Sequence, residues 1–466
     1  MPRRRRWLAP AAVAVAGVVA LFVAVNPLER DRRADGTDAG ALLPDRWRVR
    51  LTSAEVADEL AAREYADELR RFAEDGVLDA DPYLTELVAS VAAPLVAAAH
   101  DLYPQTRDWP WEWHLADNGE VNAWCLPGGR MVVLSGLLSE DILDDDRDRL
   151  ATILAHEVAH ALLQHSRESI GQMWTAQGLA WIVAKSLKVG ALRESQMIGT
   201  LKTTLLNPKS RIHEGEADVL GLELMTRAGF SPAKAVETWQ RMALRLDPAE
   251  RTPLAQRAMA FLSDHPSDDD RLARMSALQP QAQPLAGEAR KWNWLEHGLD
   301  DARTDALSRA ANAFGLDSLT LAGNGALVRA VAATERMTPK QAAAEIEHAM
   351  WESALEQGGV MQMGLSALVR EAGGWERLER IEKAWGKLRR AKPLLRDPGQ
   401  IKRMALSAED RERAHVAVER LRAFLASPRF ERRLWRDAAE ELGKTRPGAR
   451  RAILDKLGVG TTEGRS

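Results

Sequence analysis

The residues best suited to chemistry are His156-Glu157-Val158-Ala159-His160, inside a strongly helical stretch. Two histidines four residues apart share one helix face, so both imidazoles can reach one metal ion. The glutamate beside the first can reach a water on that metal. This is the chemistry of metal-assisted hydrolysis, and a zinc hydrolase needs a third protein ligand. The competing reading is a helix that carries two ordinary surface or capped histidines.

Downstream, Ser210 to Asp218 again pattern as helix, with Glu214 and Asp218 at i and i+4. Those two share a face, whereas Glu216 lies about 200° around from Glu214. Glu214 is therefore the expected third ligand. Asp218 is the expected carboxylate that hydrogen-bonds a ligand imidazole and sets its tautomer. Ala217 and Gly221 keep this helix thin enough to approach the first. Glu216 reads as a solvated carboxylate and His213 as a surface or packing histidine.

The elements that must position these groups follow from the local pattern. Asp144 to Asp148 supply acids for a helix N-terminus, and Leu150–Gln164 continues as helix. From Ser53, a candidate N-cap, the pattern is helical to about Ala99, with Val56, Leu60, Leu87, Val91 and Leu95 as its apolar positions. Trp109, Trp111, Trp113 and Leu115 alternate with polar residues, as in a half-buried strand. Val121–Leu126, the turn Pro127-Gly128-Gly129 and the β-prone run Met131–Leu134 complete an expected small antiparallel sheet. Residues 166–207 read as an inserted helical hairpin, 231–246 and 268–278 as helices, and Gln279–Gly287 as a break. The rest reads as Ala/Leu/Arg/Glu-rich helices without a clean 34-residue repeat.

Composition narrows the classes. The chain has 466 residues, 45% hydrophobic and 28% charged, which excludes wholesale disorder. Its single cysteine, Cys125, excludes an intrachain disulfide and a Cys-cluster zinc site. It reads as a buried or strand-facing thiol rather than a nucleophile. A formal net charge of −3 argues against nucleic-acid binding. Residues 381–466 nevertheless hold 22 Lys+Arg against 12 Asp+Glu, a net +10, and this basic tail could meet anionic lipid headgroups or a protein partner.

At the N-terminus, Arg3 to Arg6 precede 18 uncharged, mostly apolar residues, Leu8 to Val25. As a helix that run spans about 27 Å, enough for a hydrocarbon core. It is an uncleaved signal anchor, the favoured reading, or a cleaved signal peptide, either of which carries the following residues across the membrane; an Arg-rich organelle transit peptide is the third reading, less favoured because the apolar run is so long. Residues 1–28 are thus the anchor or signal peptide, and 29–50 a flexible linker.

At this point the chain resembles the membrane-associated zinc metallopeptidases of the HtpX and CAAX prenyl endopeptidase type, which include periplasmic members such as BepA. The resemblance covers about residues 50–278. It is carried by Asn122-Ala123-Trp124-Cys125-Leu126-Pro127-Gly128-Gly129, by His156 to His160 followed by His165-Ser166, by Glu214 to Asp218, and by His265-Pro266 with Arg271 six residues on. Gly215 stands where the family often has an aromatic, and Asp264 where it usually has Thr or Ser. The implied fold class is α+β: a mostly helical zincin-type peptidase domain with a small sheet over 51–280, and an all-α C-terminal domain over 288–466.

The resemblance implies one zinc per chain, held by His156, His160 and Glu214, with Glu157 as the proton-transferring base. His265 and Arg271 would donate to the oxyanion, or His265 would occupy the open metal position at rest. Asn122, Ala123, Met131, Val132 and Val133 would bind substrate, a peptide strand adding beside Met131–Leu134. The expected function is a zinc endopeptidase for unfolded or misassembled envelope polypeptides, periplasmic and either anchored or exported. Against it stands a chaperone-like assembly factor with a latched, mostly silent metal site; the strand edge argues against a non-peptide substrate. The insertion between the ligands would be a lid, a membrane contact or a fixed hairpin.

Overall fold

A computed structural model describes residues 28–30, 42–43, 47–50, 53–169, 207–246, 252–259, 261, 265, 271–286, 325–357, 359–391 and 405–458. The apolar run Leu8–Val25 and most of the inserted hairpin, residues 170–206, lie outside the described residues. The chain divides into two compact units, one of residues 1–80 and 91–292, the other of residues 81–90 and 293–466.

In the first unit, Leu28–Arg30 (β1) pairs antiparallel with Trp47–Val49 (β2). The segment expected to be a flexible linker is thus partly structured. Leu42 and Arg50 in the same segment are bound too: Leu42 N donates to Glu223 Oε2 at 3.1 Å, and Arg50 Nη2 to Leu163 O at 2.8 Å.

Helix α1, Ala54–Glu74, begins where Ser53 Oγ accepts from Val56 N at 3.3 Å, the cap that the sequence suggested. The helical stretch expected to reach Ala99 is broken by Gly76 and Asp79, both at positive φ, and resumes as α2, Pro82–Leu102. The buried face of α1 is not Val56 and Leu60, which are exposed, but Ala57, Ala61 and Tyr65. Tyr65 belongs to a core cluster with Ala116, Val132 and Leu134, against which Leu69, Phe72, Trp124 and Leu126 pack, so the sheet selects the face. Full burial of one such large side chain is worth about 1.5–3 kcal/mol. Helix α2 is long and apolar enough to cross a membrane, yet 78% of its most apolar window is buried.

The sheet consists of β3, Glu112–Ala116, β4, Ala123–Leu126, and β5, Arg130–Leu134, in the order β3-β5-β4. It is mixed rather than antiparallel: β3 runs parallel to β5, and only β4 is antiparallel to it. Trp109 and Trp111 precede the strand instead of belonging to it, because Pro104–Asp108 forms a 3-10 turn and Trp111 Nε1 donates back to Thr106 O at 2.9 Å. Gly128 and Gly129 turn the chain at φ +82° and +81°. Arg130 Nη1 ties that turn to Asp58 at 2.6 Å and to Pro127 O at 2.9 Å.

The central place of β5 corrects the expectation of a substrate strand beside Met131–Leu134. Both edges of β5 are already paired, and Met131, Val132 and Val133 are core residues.

Helix α3, Arg147–Leu162, is capped by Asp146, whose Oδ1 accepts from Asp148 N and Arg149 N. It packs on β4 and on α4, Asn207–Arg227. Helices α5, Pro232–Arg245, α6, Pro253–Arg257, and α7, Arg271–Ala282, follow among the described residues of the unit. The expected break at Gln279–Gly287 is helical as far as Ala286, since α7 runs through Pro280 into a 3-10 turn.

In the second unit the described part of 325–458 is helical: α8, Gly325–Thr334, α9, Pro339–Gln357, α10, Val360–Ala372, α11, Trp375–Ala391, α12, Ala408–Leu425, α13, Pro428–Gly443, and α14, Pro447–Lys456. The pairs α10 with α12 and α9 with α13 build its core around Phe424, Phe430 and Trp435. Tyr83 stacks on Phe424 at 5.7 Å, and Glu86 binds Arg370 at 2.6 Å.

Candidate metal centre

Helical spacing puts His156 and His160 on one face of α3, and their Nε2 atoms lie 3.1 Å apart. Helix α4 brings Glu214 between them. Its Oε2 is 3.3 Å from His156 Nε2 and its Oε1 is 3.3 Å from His160 Nε2. The close approach depends on small residues, since Ala217 is fully buried and Gly221 lies against the backbone of His156.

His265, six residues before the start of α7, joins them. Its Nδ1 is 3.3 Å from His156 Nε2 and 3.2 Å from Glu214 Oε2, and its Nε2 is 3.3 Å from Glu157 Oε1. One atom from each of His156, His160, Glu214 and His265 lies within 4.8 Å of the others, so the group could hold a metal ion.

The donor set fits such an ion. Two imidazole nitrogens, one buried and one part-buried, facing each other at 3.1 Å beside a buried carboxylate need a cation or a shared proton among them.

The groups behind this cluster hold it in place. Asp218 Oδ1 is 3.1 Å from His156 Nδ1. Arg271 donates from Nε to Asp218 Oδ2 at 2.8 Å and from Nη2 to Glu214 Oε2 at 3.0 Å. Its guanidinium lies 4.0 Å over the ring of Trp239, which itself meets His156 edge-on at 5.5 Å. Arg274 Nη2 adds a weaker bond to Asp218 at 3.4 Å.

Electrostatics follow from these contacts. Burial opposes a charge on His156, but Asp218 and Glu214 outweigh it and raise the pKa to about 9. Burial likewise opposes the Glu214 charge, and hydrogen bonds from His156, His160 and His265 reverse the effect, holding the carboxyl below its usual range. Asp218 is lowered in the same way, against burial, chiefly by Arg271. Burial dominates at His160, whose pKa falls.

The expectation of a solvated Glu216 fails here, and of the two readings of His213 it is the packing one that holds. His213 and Glu216 are not at the surface but 5% and 8% exposed, because 165–169 folds back over α4 and covers them. His213 Nε2 meets Glu168 Oε2 at 3.2 Å, and His165 Nε2 meets Glu216 Oε2 at 3.0 Å. Trp239 and Arg274 were not singled out from sequence; the only local signal was Arg274 lying one turn beyond Arg271. Cys125 is a buried thiol as expected, its pKa pushed up by burial and by the Glu157 charge. Asn122 and Ala123 stand at β4, where Asn122 Oδ1 accepts from Ala123 N at 2.9 Å.

The model of peptidase family M48 matches residues 81–279. Among curated proteins, the chain is 36% identical over 176 residues to the mitochondrial metalloendopeptidase OMA1 of Schizosaccharomyces pombe, covering 38% of this chain and 49% of that protein. It is 33% identical over 177 residues to OMA1 of Saccharomyces cerevisiae, covering 38% and 49%. It is 26% identical over 255 residues to the beta-barrel assembly-enhancing protease of Escherichia coli (strain K12), covering 53% and 49%. The chain thus spans about half the length of these relatives.

Proposed function

Since residues 81–279 are a peptidase family M48 domain, we propose that the chain is a zinc-dependent endopeptidase acting on unfolded or misassembled polypeptides. The observation that carries this reading is the convergence of His156, His160 and Glu214 beside a buried Glu157. His156, His160 and Glu214 would hold one zinc ion. When bound there, zinc supplies Lewis acidity, which polarises a peptide carbonyl and makes water a nucleophile near neutral pH.

Glu157 takes the proton of the attacking water and passes it to the leaving amine. Asp218 holds the His156 ring, and Arg271 holds the carboxylates of Glu214 and Asp218. Arg271 gives those carboxylates two of its five N–H groups, from Nε and Nη2, and His265, once it leaves the ligand cluster, would stabilise the oxyanion.

The substrate main chain would lie along β4. Leu134 N donates to Asn122 O at 3.0 Å, so antiparallel alternation turns the main-chain groups of Ala123 and Cys125 away from β5. An extended peptide added there pairs through its backbone, with little side-chain selectivity.

Action in the cell envelope, on the far side of an inner membrane, is the setting that the N-terminal segment and a protease named for beta-barrel assembly support. The basic C-terminal helices are the surface for a protein partner or anionic lipid. One observation favours a second reading: His265 Nδ1 stands among the ligand atoms, as in a latched site, which suits an assembly factor with a mostly silent centre.

The Glu157→Gln variant separates the two. A peptidase loses casein cleavage by about 10²- to 10⁴-fold while keeping its zinc. Unchanged cleavage rules out the proposed base, and a cellular role that survives the substitution favours the assembly factor.

A further inference from the structure

Helix α3 ends at Leu162, and Gln164, at φ +56°, turns the chain into the helical stretch 165–169. Arg50 holds this turn through Leu163 O. The turn brings His165 to His160, with their Nδ1 atoms 2.8 Å apart. On its other side His165 Nε2 meets Glu216 Oε2 at 3.0 Å, and the His165 ring stacks on His213 at 4.2 Å and 12°. His165 is 3% exposed and Glu216 8%.

We infer that His165 and Glu216 are a positioning pair that decides which nitrogen of His160 faces the metal. A contact between two ring nitrogens at 2.8 Å needs one N–H and one lone pair. The Glu216 carboxylate only accepts, so the His165 proton sits on Nε2 and leaves Nδ1 as a lone pair. His160 must then donate from its own Nδ1, which leaves its Nε2 as a lone pair directed at Glu214 and His156.

The two ligand histidines are thus set by different means. His156 leans directly on the Asp218 carboxylate, whereas His160 reaches its carboxylate through a second imidazole. The assignment also explains why Glu216, on the side of α4 away from Glu214, is buried.

This inference rests on His160 being a zinc ligand, and the test separates the two ideas. Zinc affinity of the full chain is measured by competition with a chromophoric chelator, and the visible spectrum of the cobalt(II)-substituted protein reports ligand geometry. His165→Phe keeps a ring against His213 but offers no acceptor. It is expected to weaken zinc by about 10- to 100-fold and to shift the cobalt bands. His165→Asn, whose Oδ1 can accept from His160, recovers most of that loss. Glu216→Gln, still an acceptor, costs less than Glu216→Leu.

Zinc affinity of His165→Phe within twofold of wild type, with an unchanged cobalt spectrum, overturns the pair while leaving the zinc site standing. So does an equal loss in the Phe and Asn variants. If His165→Phe does not fold, the comparison of Glu216→Gln with Glu216→Leu decides, equal affinities counting against the inference. A wild-type chain that binds no zinc overturns both.

Discussion

Gly221 touches the backbone of His156: a Cβ placed on it would lie 3.0 Å from His156 N and 3.1 Å from His156 Cα. The contact fixes how near α4 comes to α3. Glu214, two helical turns before Gly221, reaches the Nε2 atoms of His156 and His160 because of it.

Adding a methyl group at Gly221 must therefore push the helices apart by a few tenths of an ångström. Gly221→Ala is expected to lower the thermal midpoint and weaken zinc retention, and Gly221→Val to cost about 1–3 kcal/mol. Thermal unfolding and metal analysis check both. A Val variant with wild-type zinc content and midpoint would show that the contact yields freely.

Metal analysis tests the ligand set. Purified wild type is expected to carry one zinc per chain, and Glu214→Ala to lose it, while Glu216→Ala keeps the ion when zinc is saturating. Zinc retained in Glu214→Ala but lost in Glu216→Ala would transfer the ligand role to Glu216.

His265 Nδ1 stands among the candidate ligand atoms. His265→Ala is expected to lower turnover on unfolded chains by about 10²-fold with zinc intact, because it removes the proposed oxyanion donor. A several-fold rise in basal turnover would instead mark His265 as a latch on the metal position.

A pH test concerns the sheet. His114 Nδ1 lies 2.6 Å from Asp79 Oδ2, and that hydrogen bond, against partial burial, raises the pKa of His114 above its ordinary 6.5. A raised folded pKa means the protonated form is preferred in the native state. The stabilisation is then complete below about pH 6.5 and disappears as pH rises through the folded value. The loss of stability in His114→Gln should accordingly be larger near about pH 5.5 than near about pH 8.5. Chemical unfolding at both values measures it, and an equal loss would remove the ion pair as the cause.

What the sequence determined by itself was local. Helical geometry alone puts residues i and i+4 on one face, so the shared face of His156 and His160, and that of Glu214 and Asp218, were legible in spacing. Ser53 as a cap and Pro127-Gly128-Gly129 as a turn were equally so, because a side-chain acceptor and a positive φ are properties of a few neighbouring residues.

Contacts between distant segments decided the rest. The pairing of β5 with β3 as well as β4 leaves no mark on either strand's alternation, so the mixed sheet and the outer position of β4 in it were hidden. Val56 and Leu60 suit a buried stripe as well as Ala57, Ala61 and Tyr65 do, and only the sheet beneath selected between them. Glu216 and His213 are charged or polar residues that a sequence places in water by default. Their burial required the partners His165 and Glu168, 51 and 45 residues away, because a polar group leaves water only where another satisfies it.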